Sequence, residues 1–105
     1  MPIYRQIGDR LGEANCVQSL GDVARMQARY EQAGQLYNQA LPIYRQIGDR
    51  LGEANCLLSM GRLARNTSDS AAMQAAYAEA EKIYSSIGFT DWARRAHEEA
   101  TALVP

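Results

Sequence analysis

Phenylalanine, tryptophan and histidine occur once each in these 105 residues, cysteine only twice, and neither sign of charge prevails. The single histidine, His97, would need a partner at fixed geometry to act as a general acid or base. Its sequence neighbours Glu98 and Glu99 point elsewhere on a helix, where residues three or four apart share a face. No catalytic residue, metal ligand or cofactor is therefore assigned, and the chain is read as a non-enzyme. Eleven Lys and Arg against twelve Asp and Glu leave a net charge of −1. Such a chain has no field to draw it to nucleic acid or to anionic lipid. Apolar runs fall short of the 18 residues that a membrane span requires, and residues 1–6 lack the basic and apolar segments of a secretory leader. The expected setting is cytoplasmic, away from membranes. Also missing are alternating apolar and polar runs rich in Val, Ile and Thr, which removes strands from the reading. Gly-Asp-Arg-Leu-Gly recurs at 8–12 and 48–52, but without the preceding strand that a nucleotide-binding loop needs, and it reads as a turn between helices.

What the chain does have is repetition. Pro2 to Cys16 returns letter for letter as Pro42 to Cys56, a period of 40 residues. Periods of about 20–50 residues belong to solenoids and arrays, whose units are too small to bury their apolar faces alone and lean on one another. The two cysteines sit at equivalent places in successive units. Helices pack about 8–10 Å apart, beyond the roughly 7 Å between Cα atoms that a disulfide tolerates. Both are expected to be free thiols, serving as small core residues.

The apolar spacing gives an all-α chain in one domain, 1–105. Residues 2–7 read as the last turns of a truncated helix, so the chain is expected to begin in mid-repeat, as a fragment of a larger array. Gly8 should end that helix and Asp9 cap the next. The first repeat spans 11–47. One helix runs from Leu11 to Gln27, and a second starts near Arg29 with the stripe Tyr30, Ala33, Leu36, Tyr37, Ala40, Leu41, Tyr44 and Ile47. Pro42 inside it predicts a bend near Asn38 and Gln39. The second repeat spans 51–87, with a turn at Asn66–Ser70. A capping helix at 91–103 follows, started by Thr90 or Asp91, its polar outer face suited to the end of an array. Tyr4, Tyr44 and Tyr84 are expected in the core, and Trp92 over the last core layer.

These positions resemble the tetratricopeptide repeat. In the first unit Ala14, Val17, Leu20-Gly21 and Ala24 are followed by Ala33, Tyr37 and Ala40. In the second, Ala54, Leu57, Met60-Gly61 and Ala64 are followed by Met73, Tyr77 and Ala80. At 40 residues the unit is longer than that family's usual 34. Ala28 and Ser68 stand where a turn glycine is common. The resemblance implies a right-handed α-solenoid of antiparallel helix pairs, about two full repeats plus the C-terminal capping helix. It also implies a protein-interaction module whose concave groove takes a peptide or protein segment. Carried over position by position, the groove is lined by Asn15, Gln18, Asp22, Arg25 and Met26, then Asn55, Leu58, Ser59, Arg62 and Arg65. The asparagines suit a peptide backbone and the arginines a carboxylate. The alternative is a structural spacer or self-association element without a ligand. Apolar surface around Val17, Leu20 and Ala24, left uncovered at the truncated end, points to a homodimer there.

The close approach that Gly21 permits should be filled by Tyr37. Replacing Tyr37 by Ala is expected to cost about 3–5 kcal/mol, the range for deleting a buried aromatic ring; thermal unfolding followed by circular dichroism measures it, and an unmoved midpoint would place the ring in solvent.

Overall fold

The computed structural model describes residues 3–102, with side chains from Gly8 onward. Five helices follow one another: α1 Ile3–Met26, α2 Tyr30–Ile47, α3 Arg50–Asn66, α4 Ser70–Ser86 and α5 Thr90–Thr101. There is no strand among the described residues. Each helix packs on the next, α1 with α2, α3 with α4, and α5 on α4, while α3 also touches α1. The result is a slab 52 × 32 × 18 Å across.

The core is a row of small residues facing tyrosines. Ala14, Ala33, Ala40, Ala54, Ala80 and Ala96 are fully buried, as are Tyr37, Tyr77 and Tyr84. A β-carbon on Gly21 would lie 2.8 Å from Cε1 of Tyr37, and one on Gly61 would lie 2.9 Å from Cδ1 of Tyr77. Gly52 stands in the same relation to Tyr44. Only a residue without a β-carbon lets the phenol ring of one helix lie directly on the backbone of its neighbour. Trp92 closes the row from α5, stacked on Tyr84 with ring centroids 6.0 Å apart.

All four connections use one device. After each helix a residue turns to positive φ: Ala28 at 61°, Gly48 at 74°, Ser68 at 60° and Gly88 at 85°. The next amide then reaches back five residues, Arg29 to Ala24, Asp49 to Tyr44, Asp69 to Ala64 and Phe89 to Tyr84, at 2.8–3.0 Å. This satisfies carbonyls that a helix end leaves unpaired. Asp49 and Asp69 start the following helices by accepting from the amides of Gly52 and Ala72.

Four expectations change. The turn at Gly8–Asp9 is not made, and α1 runs unbroken through it from Ile3, although the same letters turn at Gly48. There the turn is anchored by Tyr44, seated on Gly52 and bonded to Asn15 and Gln18 of α1. No helix precedes α1 among the described residues to hold the first copy likewise, and a helix once nucleated gains one hydrogen bond per added residue. The last helix begins at Thr90 after Phe89, which makes no side-chain cap, so neither Thr90 nor Asp91 starts it as expected. Cys16 is exposed whereas Cys56 is buried, with its thiol against the carbonyl of Tyr37. Ala24 is covered, while Leu20 remains 53% exposed. Tyr4 lies outside the residues whose side chains are described.

Ala28 and Ser68 hold a conformation that costs an L-residue about 1–2 kcal/mol and glycine nothing. Set against the greater freedom of unfolded glycine, Ala28→Gly and Ser68→Gly are each expected to stabilise the fold by about 0.5–1 kcal/mol, read from urea unfolding midpoints at an unchanged slope.

Candidate functional site

The ten groove residues predicted from the sequence separate into three places. Asn15, Gln18 and Asn55 come together with Leu11, Ser19 and Leu51 around an open cleft of about 360 Å³ between α1 and α3, floored by Tyr44 from α2. The Tyr44 hydroxyl lies 2.6 Å from Oδ1 of Asn15 and 3.0 Å from Oε1 of Gln18. One repeat on, the Tyr84 hydroxyl donates to Oδ1 of Asn55 at 2.5 Å. A carbonyl oxygen engaged by a phenol turns the amide N–H2 group of the same side chain the other way, as a donor. The cleft thus carries amide donors between two leucines.

Asp22, Arg25, Arg62 and Arg65 form the second place, where the repeats are no longer copies. Asp22 accepts from the Tyr37 hydroxyl at 2.5 Å. Its equivalent in the second repeat is Arg62, which would leave Tyr77 facing a cation. Glu99 of α5 resolves this. Its carboxylate takes two bonds from Arg62, at 2.9 and 2.8 Å, and one from the Tyr77 hydroxyl at 3.2 Å. Arg65 donates to the backbone carbonyl of Glu99 and lies 5.7 Å from the Tyr77 ring centre. The bidentate carboxylate partner foreseen for these arginines is therefore supplied by the chain itself. Hydrogen bonds from Arg62 hold the Glu99 carboxyl below its ordinary pKa, and the same pair raises that of Arg62. Arg25 is half-buried, with its Nε enclosed and unpartnered.

The remaining three residues fall elsewhere. Met26 is 72% exposed on the last turn of α1, while Leu58 and Ser59 are buried. Sequence reasoning missed Leu11, Ser19, Tyr44 and Leu51 as cleft residues, and Glu99 as the partner of Arg62. The pairs Tyr44 with Asn15 and Tyr84 with Asn55 share one separation along the chain, a signal that was available from the period. Glu99 lies in the diverged last helix, and nothing in the repeat announces it.

Among the described residues no three His, Cys, Asp or Glu side chains gather to hold a metal ion, and no helix is long and apolar enough to cross a membrane. His97 meets Glu81 at 3.2 Å on the surface. Stacked antiparallel helix pairs with tyrosines seated on glycines define an α-solenoid. A family model described as tetratricopeptide repeat matches residues 1–46 and, overlapping these, 13–86. The chain belongs to that family, a non-catalytic scaffold family whose members are generally protein-interaction modules. No curated protein and no solved structure matched the chain.

Burial raises the phenols of Tyr37, Tyr44 and Tyr84 from 10.0 to about 12, with the Asp22 hydrogen bond adding to the effect at Tyr37. A folded pKa above the unfolded one favours the protonated form in the native state. The stability it contributes is present below about pH 10 and is lost as pH rises towards 12. Phenolate absorbance at these tyrosines should therefore appear together with loss of helix between pH 10 and 12, in one cooperative step. Titration of all the phenols near 10 with the helices intact would contradict their burial.

Proposed function

We propose that the chain is a protein-interaction module that binds an extended peptide or protein segment along the concave face of its first helices, in the cytoplasm, as part of a larger repeat array. The observation that carries this reading is the cleft between α1 and α3. Asn15, Gln18 and Asn55 have their carbonyl oxygens engaged by Tyr44 and Tyr84, and so offer N–H groups at fixed positions beside Leu11 and Leu51. A peptide backbone presents carbonyls at regular intervals, and side chains between them can reach the leucines. Donors held in place before binding lose little freedom on capture. Arg62 and Arg65, already engaged by Glu99, are secondary, and the unpartnered Nε of Arg25 extends the donor row.

The rival reading is a ligand-free spacer that self-associates as a homodimer through α1. Its support is the exposed apolar surface of Leu20, Val23 and Met26. The two readings part at the cleft, which a spacer does not use.

A random peptide library selected against the chain should yield sequences that bind one to one, seen by isothermal titration. Asn15→Ala combined with Leu51→Ala is expected to weaken them at least tenfold, while Val23→Asp on the opposite side of α1 leaves them unchanged. Peptides indifferent to the cleft pair would defeat the groove reading.

A further inference from the structure

Away from the concave face, the fold builds a second kind of cleft twice, at an interval of one repeat. The later one, about 490 Å³, lies against α3 and α4 and includes Met60, Leu63, Ala64 and Ala76 in its lining. The earlier one, about 230 Å³, includes Leu20, Val23, Ala24 and Leu36, the residues at the same four positions 40 places earlier. The two differ in one respect. The later cleft has a third wall from α2, with Tyr30, Gly34 and Asn38 spaced by four along one helix face. There Cδ2 of Leu63 comes to 3.6 Å from where a β-carbon on Gly34 would stand, so α2 and α3 approach through a glycine opposite a leucine. At the earlier cleft no described residue supplies the corresponding wall, and Leu20 and Val23 remain 53% and 45% exposed.

We infer that this earlier cleft is a docking site for an amphipathic helix from another polypeptide, one that carries an aromatic, a small and an amide residue at successive intervals of four. The kind of occupant follows from what fills the third side one repeat later. Val23 stands at the place of Leu63, and a small residue on the incoming helix would receive it. A second copy of the chain is a poorer fit. Its α2 stripe already faces its own α3, and the α4 face is taken by α5, where the Gln74 amide bonds to the carbonyl of Ala100 at 3.0 Å. The outer face of α5 is polar, with Asp91, Arg94, Arg95 and Glu98 exposed, so it offers no apolar match. The surface also adjoins Cys16, which is exposed where Cys56 is covered by α2. The same missing helix accounts for both differences.

The test uses the whole chain and a synthetic peptide of residues 29–47, blocked at both ends, as the probe. Methyl resonances of Leu20 and Val23 are expected to shift saturably on titration, while the side-chain amides of Asn15 and Asn55 stay in place. Val23→Asp in the chain should weaken binding at least tenfold. Gly34→Leu in the peptide should do the same, with the chain itself untouched. Shifts confined to the concave cleft or to Met60 and Leu63, no shift at millimolar peptide, or equal binding by the Gly34→Leu peptide would each overturn the proposal. So would light scattering that shows a dimer in which Leu20 and Val23 are already covered. A failure of peptide binding at the concave groove leaves these outcomes unaffected, since the two sites lie on different faces of α1.

Discussion

A phenol ring laid on a glycine is the contact on which this molecule depends. Tyr37 on Gly21, Tyr44 on Gly52 and Tyr77 on Gly61 draw consecutive helices together closely enough to exclude any β-carbon at the point of contact. Burying a ring of that size is worth several kcal/mol only when its hydroxyl also finds a partner. Each of the three does so on a first helix or on the capping helix, at Asp22, at Asn15 with Gln18, and at Glu99. The apolar part of the tyrosine thus builds the pair while its polar tip organises the face opposite.

That division of labour links stability to function. Asn15 and Asn55 would be ordinary solvated amides on an isolated helix. With Tyr44 and Tyr84 holding their carbonyls, they become oriented donors on a rigid wall, which is what recognition of a peptide backbone requires. The second repeat shows the same logic under a changed sequence. Arg62 replaces Asp22 at the position facing the tyrosine, and the capping helix returns a carboxylate, Glu99, that serves both Arg62 and Tyr77. An arginine at the groove was thereby converted from a surface that could meet a partner's carboxylate into one that fastens α5.

Much of the fold was legible in the letters. The all-helical class, the two repeats and the roles of Gly21, Gly61, Tyr37 and Tyr77 follow from the period and from helical spacing. Positions 28 and 68 stood out as lacking the usual turn glycine, and the backbone there takes the conformation that glycine would favour. The candidate groove was legible only in part. Asn15, Gln18 and Asn55 meet in one cleft, whereas Leu58 and Ser59 turn inward. Helical spacing assigns a face, but the depth at which that face sits depends on how the next helix lies across it.

Pro2–Cys16 and Pro42–Cys56 separate the two contributions, because their letters are identical and their structures are not. By itself the sequence determined what each segment can do: form helix, turn at a glycine, present a cysteine and a glutamate at fixed spacing. Neighbours decided which of these is realised. Gly48 turns and Gly8 does not; Cys56 is buried and Cys16 exposed; Glu53 lies inside, bonded to Arg45 and Arg50, while Glu13 lies in solvent with Arg10. The second copy has α1 and α2 packed before it, and the first has no such pair among the described residues. Local propensities differ by fractions of a kcal/mol, whereas burying a side chain against a preceding helix is worth a few, so where the two compete the tertiary contact prevails.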